Sequence, residues 1–198
     1  MKVLTLDNSE LREHCRRLQE QVLESYNPDL VVGIATGGVI VASEMFPRLP
    51  HVEVTCRRPA SASRRRTEQR YGILRRLPVW LLNLMRIAQM RLLMLKRNPH
   101  RTVEPIPAET LEAIRTARHI LLVDDSVDSG ITLRNVLHVL QSAPGNHEIR
   151  TAAITVTLPN PKIRPDYALY QNGMLCRFPW SNDALADRGG AAKLKAKN

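Results

Sequence analysis

An α/β fold with a parallel central sheet and flanking helices is predicted by three features of this 198-residue chain. Short runs rich in branched apolar residues, at 30–35, 120–123 and 148–158, alternate with segments of helical periodicity; this is how strands buried on both faces of a parallel sheet read. Two of these runs end in turns bearing glycine or hydroxyl groups that open at once into a helix, the place where ligands sit in such sheets. The hydrophobic content of 43% marks a globular chain, and the length suits one core.

The elements follow in order. Asp7, Asn8, Ser9 and Glu10 supply cap residues and a first-turn acid for a helix reaching about Tyr26, with Leu11, Cys15, Leu18 and Val22 at helical spacing. Asn27-Pro28-Asp29 breaks it before the strand at 30–35. Thr36-Gly37-Gly38 then turns the chain into a helix over 39–45. Its glycines let the backbone approach a ligand, and the helix start offers N–H groups to an anion. Residues 51–56 alternate as a strand and run into 57–66, where small residues and five arginines make a mobile cationic loop. From Pro78 to Arg97 the chain lacks glycine and further proline, and Leu77, Leu81, Leu84, Ala88, Leu92 and Leu95 form one apolar stripe at spacings of three and four. Asn83, Arg86, Gln89 and Arg91 make that segment a poor membrane span. An irregular link at 98–107 leads to a helix at 108–117, the strand at 120–123, a helix continuing over 133–140, a turn at 143–146 and the strand at 148–158.

The stretch 120–133 carries the chemistry. Adjacent acids at a strand's C-terminal end, Asp124 and Asp125, suit a vicinal diol and a cation. The turn that follows suits a phosphate, through N–H groups near Gly130 and the hydroxyls of Ser129 and Thr132. Asp128, a carboxylate beside a phosphate site, is electrostatically misplaced unless it handles a proton on the reacting partner. Asp124, Ser126 and Asp128 have calcium-loop spacing, but Ser129 stands where that loop needs glycine and Asn135 where it needs glutamate. A P-loop is excluded, because the glycine run 33–38 continues into Val39-Ile40 rather than Lys-Ser/Thr. An ordinary acidic turn after a strand is the bland alternative.

The run 123–132 resembles the 5-phosphoribosyl-1-pyrophosphate (PRPP) motif of the type I phosphoribosyltransferases: branched apolar residues, Asp-Asp, two free positions, Asp, Ser or Thr, Gly, one free position, Thr. Every fixed position is met. The resemblance implies that Asp124 and Asp125 hold the ribose hydroxyls and, directly or through PRPP, Mg²⁺. It implies that Ser129, Gly130, Ile131 and Thr132 hold the 5-phosphate and that Asp128 lies near the attacking base nitrogen. Thr36, Gly37 and Gly38 resemble the family's pyrophosphate loop, and Arg57 and Arg58 begin a segment matching its flexible loop. The C-terminal part is similar to the hood of xanthine- and hypoxanthine-type members, with Phe178 and Trp180 on one face of an extended segment as a stacking surface for a base. Three positions depart from that pattern. Thr36 stands where some relatives have arginine, Ser181 where relatives often have glutamate, and Leu158 where they place a lysine on the base's exocyclic oxygen. Leu158 cannot donate a hydrogen bond, which argues against a 6-oxopurine.

Residues 1–190 are thus expected to form a single phosphoribosyltransferase domain with a helical insertion at 71–98 and a hood at 158–183, followed by a disordered basic tail at 191–198. The net charge of +10 is concentrated in 57–101 and in Lys193, Lys195 and Lys197. It suits a polyanionic substrate, and also weak contact with anionic membrane or nucleic acid. Three cysteines without metal-ligand spacing, Cys15, Cys56 and Cys176, fit a reducing compartment; with an opening that reads as no secretory signal, the expected location is cytoplasmic. The expected activity is transfer of 5-phosphoribose from PRPP to a nitrogenous, purine-like base with release of pyrophosphate, as in purine salvage. The alternative is a non-catalytic regulator of the same fold that senses PRPP or a nucleotide and binds nucleic acid. The stripe at 77–95 needs cover, from the chain's own sheet, from a second copy in a homo-oligomer or from an anionic membrane surface.

Overall fold

The computed structural model describes residues 2–57, 81, 84–85, 87–88, 101–171 and 173–181. The expectations for Arg58, for most of the insertion at 71–98, for residues 182–183 of the hood and for the tail at 191–198 lie outside the described residues. Of the predicted apolar stripe, Leu81, Leu84 and Ala88 are described as helical, and Leu84 is 56% exposed.

The elements are β1 (Lys2–Thr5), α1 (Asn8–Leu23), β2 (Leu30–Ile34), α2 (Gly37–Met45), β3 (His51–Val54), β4 (Cys56–Arg57), β5 (Thr102–Val103), α3 (Ala108–Thr116), β6 (His119–Val127), α4 (Ile131–Ser142), β7 (Glu148–Val156), β8 (Tyr167–Gln171) and β9 (Met174–Arg177). Five strands form the predicted parallel sheet in the order β3-β2-β6-β7-β8. Alternation along the strands separates two apolar layers. Val31, Leu121, Val123 and Ile154 pack against Leu11, Leu18 and Val22 of α1 and Val41 and Met45 of α2. Val32, Ile120, Leu122 and Ala153 pack against Ile114 of α3 and Leu133, Val136 and Leu140 of α4. Helices thus cover both faces, which is why the strands read as near-continuous apolar runs.

Local chemistry explains the first helix. The Asp7 carboxylate accepts the N–H groups of Ser9 and Glu10 at 2.8 Å each, and Glu10 returns a bond to the Asp7 N–H at 2.9 Å, closing a capping box. Farther on, Asp29 accepts the N–H groups of Arg118 and His119 at 3.0 Å, tying the start of β6 to β2.

Three features differ from expectation. The strand read as ending at Val123 runs on to Val127, because β7 offers partners as far as Thr155 and Val156; both acids are therefore strand residues. The strand expected over 51–56 breaks at Thr55, and Cys56–Arg57 pairs antiparallel with Thr102–Val103 inside what reads as an irregular link. Lys2–Thr5, not read as a strand, pairs in parallel with β9. Within 158–183, β8 extends the central sheet while β9 joins β1 in a separate two-stranded sheet. Arg177, fully buried, donates from Nη1 to Thr5 Oγ1 at 2.9 Å across that pair. Thr155 Oγ1 donates to the Met174 carbonyl at 2.8 Å, fixing the small sheet to the end of β7.

Candidate active site

The strand order reverses between β2 and β6, since the chain leaves β2 toward β3 on one side and β6 toward β7 on the other. Loops after these two strands diverge and open a crevice, the ligand position expected of an open α/β sheet. A cavity of about 340 Å³ occupies it, lined by Thr36 and Gly37 after β2, Asp124 and Asp125 in β6, Asp128, Ser129, Gly130 and Thr132 after β6, and by Cys56, Arg101 and Trp180. Segments nearly 150 residues apart in sequence thus face one space. A larger hollow of about 500 Å³ lies beside β3, but Glu53, Glu104 and Glu109 line it. Three carboxylates make it a poor receptor for a polyanion.

Two helix N-termini converge on the crevice cavity. α2 begins at Gly37 and α4 at Ile131, and neither Thr36 nor Gly130 caps its helix through a side chain. First-turn N–H groups with the positive end of the dipole are an anion site. Gly130 has φ of 72°, and an added Cβ there would meet the Ile163 carbonyl oxygen at 2.7 Å. Only glycine suits that conformation and that contact. The turn is backed from behind by a bond from the Lys162 N–H to the Ser129 carbonyl at 2.8 Å, a support not legible at 162–163 in the sequence.

Close packing brings the first loop onto the acids. A Cβ on Gly37 would lie 1.9 Å from Asp125 Oδ2, and one on Gly38 would lie 2.4 Å from the Val123 carbonyl oxygen. Neighbouring strand residues point to opposite faces. Asp125 accordingly turns toward Gly37 and accepts the indole N–H of Trp180 on Oδ2 at 3.0 Å. Asp124 accepts the Asp125 N–H on Oδ1 at 2.9 Å. Burial pushes both carboxyls above the usual range, Asp124 strongly, and for Asp124 the neighbouring Asp125 charge adds to the effect. Bonds from Trp180 and Ser126 pull Asp125 partly back.

The structure separates the two hood aromatics. Phe178 is 3% exposed in the core beneath the hood, and Trp180 stacks on it with ring centroids 4.9 Å apart and planes 3° from parallel. Of the two, Trp180 lines the cavity. Ser181, the position departing from the family's glutamate, closes the turn below them. Its hydroxyl accepts the Phe178 N–H at 3.0 Å, and its N–H donates to the Phe178 carbonyl at 2.9 Å.

Arg57 does not line this cavity. It pairs with Glu104 at 2.7 Å across the short β4–β5 ribbon. Among the described residues, the cation that lines it is Arg101, which lies inside what reads as an irregular link. Its guanidinium donates to the Thr132 hydroxyl, and its carbonyl accepts the Asn135 side-chain N–H at 2.8 Å. Nothing local flags that residue, because the β4–β5 pairing and α4 create its position together. Cys56, which also lines the cavity, has its thiol pushed up by burial.

The arrangement offers two helix ends suited to anions, a cation at the start of α4, two carboxylates for a diol or metal, and an aromatic wall. Among solved structures, the chain is similar to a purine phosphoribosyltransferase of Pyrococcus horikoshii Ot3, with TM-score 0.60 and 20% identity over 91% of this chain and 94% of that one. It is similar to a Helicobacter pylori xanthine-guanine-hypoxanthine phosphoribosyltransferase, with TM-score 0.60 and 17% identity over 90% and 94%. A Neisseria gonorrhoeae protein solved with bound ppGpp shares the fold at TM-score 0.63 and 14% identity over 90% and 89%. No curated protein matches in sequence. The phosphoribosyl transferase domain family, however, matches residues 5–182, a span that takes in every segment converging on the crevice. The PRPP motif at the end of β6 therefore belongs to a match covering nearly the whole chain, which is a member of that family and a phosphoribosyltransferase.

Proposed function

We propose that the chain transfers 5-phosphoribose from PRPP to a nitrogenous, purine-like base, releasing pyrophosphate. The observation that carries this reading is the convergence of both uncapped helix N-termini, the Asp124–Asp125 pair and Trp180 on one cavity. The 5-phosphate is assigned to Ser129, Gly130, Ile131 and Thr132, with Arg101 as its added cation. The pyrophosphate is assigned to Thr36, Gly37 and Gly38, and the ribose hydroxyls to Asp124 and Asp125. Arg57 and Arg58 remain assigned to the flexible loop, Arg57 from the β4–β5 ribbon next to the cavity. The base stacks on Trp180, with Phe178 as the ring that braces it.

Mg²⁺ fits this donor set. It is commonly held by one or two carboxylates together with substrate phosphates, and two adjacent carboxylates whose charge is suppressed by burial gain from a cation. Among the described residues no cluster of three or more His, Cys, Asp or Glu could hold a metal, so the ion would arrive with PRPP and be held by Asp124 and Asp125, directly or through it. When bound, it neutralises charge on the pyrophosphate.

In the transfer the bond from the ribose C1 to the pyrophosphate oxygen breaks, pyrophosphate keeps the electron pair, and the base nitrogen bonds to C1. The transition state is oxocarbenium-like. The chain's part is to hold both partners in line and to aim N–H dipoles at the oxygens that gain charge. Asp128, on the cavity wall, takes the proton from the attacking nitrogen. Leu158, without a donor where relatives place lysine, favours a base other than a 6-oxopurine.

A screen of bases for Mg²⁺-dependent pyrophosphate release from PRPP tests the reading. Release with one base well above the rate of PRPP hydrolysis in water supports it, and no release with any base refutes it.

A further inference from the structure

A single oxygen joins three parts of this site. Asp125 Oδ2 accepts the Trp180 indole N–H at 3.0 Å, and the same oxygen is the atom nearest the place where Gly37 would carry a Cβ, at 1.9 Å. The pyrophosphate loop, the acid pair and the hood therefore meet there. Ser126, the next residue on the same strand, also donates to this carboxylate, from its hydroxyl to Oδ1 at 3.3 Å and from its backbone N–H. Trp180, by contrast, is firmly held. Its ring lies flat on Phe178, and Phe178 is fixed by the reciprocal pair of bonds to Ser181. The Ser126 bonds are local to the strand, whereas the rigid indole reaches Asp125 from another segment and so fixes which way the carboxylate turns in the cavity.

We infer that Trp180 is a positioning residue for Asp125, so that the ring assigned to the base also sets the carboxylate assigned to the ribose. This rests on the function proposed above. Its consequence is that tryptophan and phenylalanine are not equivalent at position 180: both rings can stack, but only the indole can hold Asp125.

Trp180→Phe isolates the N–H. A bond to a charged group is worth enough that its loss weakens PRPP binding, measured by calorimetry with Mg²⁺ and no base, by about tenfold. The base KM moves by less than about twofold because a stacking ring remains, and the melting temperature is kept. In an Asp125→Ala background the same substitution costs nothing further, since the acceptor is gone. A Trp80→Phe variant leaves Trp180 as the one indole and gives a second readout. Its emission shifts on adding PRPP with Mg²⁺, and the shift disappears with Asp125→Ala. Trp180→Phe binding PRPP as tightly as wild type, or losing the full tenfold in the Asp125→Ala background, overturns the positioning role. Wild-type protein that binds no PRPP overturns the reading of the site and this inference with it. Wild-type protein that binds PRPP yet turns over no base refutes the proposed transfer alone, and the calorimetric comparison still decides the role of Trp180.

Discussion

Gly37→Ala tests how the site is built, because the space around Gly37 sets its effect. The added methyl would lie 1.9 Å from Asp125 Oδ2 and 2.4 Å from its Cγ, whereas real Cβ atoms essentially never come closer than 3.0 Å to a neighbour. Restoring even that limit moves the carboxylate or the loop by about 1 Å. A misplacement of that size costs on the order of 100-fold in rate, or about 2.7 kcal/mol of transition-state stabilisation. Overpacking costs about 1–3 kcal/mol of stability where nothing yields, but here the carboxylate can swing into the open cavity, so the melting temperature should fall little. Steady-state kinetics with PRPP and calorimetric binding supply the measurement. Gly37→Ala should lose about 100-fold in kcat/KM, and in an Asp125→Ala background it should cost far less, because the atom it strikes is gone. Activity within about threefold of wild type would show that the loop does not need to sit on the acid, and the account of the pyrophosphate subsite would fall.

The remaining predictions concern the charges. Asp124→Ala and Asp125→Ala should each weaken PRPP binding, whereas Asp128→Ala should spare binding and lower kcat; equal small effects at all three would remove the assignment of roles. Arg101→Ala should weaken binding of ribose 5-phosphate about tenfold through loss of a charged donor beside Thr132, and unchanged affinity would take Arg101 out of the phosphate site. Burial holds Asp124 well above its unfolded value, so its contribution to stability is fully present below about pH 4 and is lost as the pH rises through the raised folded value. The melting temperature of ligand-free Asp124→Asn should therefore gain on wild type from about pH 4 to pH 8, and a constant difference would contradict the burial effect.

What could be read in advance divides by how far apart the interacting residues lie. The capped start of α1 spans Asp7 to Glu10, and the glycine turn into α4 spans Ser129 to Thr132; each joins neighbours in the chain, so residue types alone announce the two helix starts. The parallel sheet was legible for a related reason, since helices on both faces force unbroken apolar strands. By contrast, β1 has four residues and its partner begins at Met174, so no local period announces it. The register of β6 beyond Val123 depends on the length of β7. Arg101 enters the site through the β4–β5 pairing and its bonds to Thr132 and Asn135 of α4, none of which is local to it. Trp180 shows both cases at once: its spacing from Phe178 marked an aromatic platform, but its bond to Asp125 spans 55 residues and exists only in the fold.

That bond also bears on why the acids tolerate their place. Two carboxylates side by side at the end of a buried strand repel each other and lose water, and both resist ionising in consequence. Apolar residues at these positions would make a more stable strand, as Ile120 to Val123 already do one step earlier. The fold offsets part of the cost with a backbone N–H on Asp124 and with the Trp180 indole N–H and Ser126 on Asp125, yet both carboxyls stay above the usual range beside two helix ends and Arg101. A ligand that brings a divalent cation on a pyrophosphate supplies positive charge to the acids and negative charge to the helix ends together. Neither half of that ligand alone would satisfy the cavity, since a free cation leaves the helix ends unfilled and a free phosphate meets the carboxylates. On the function proposed above, the cavity would favour a metal-bound phosphate ester over either component.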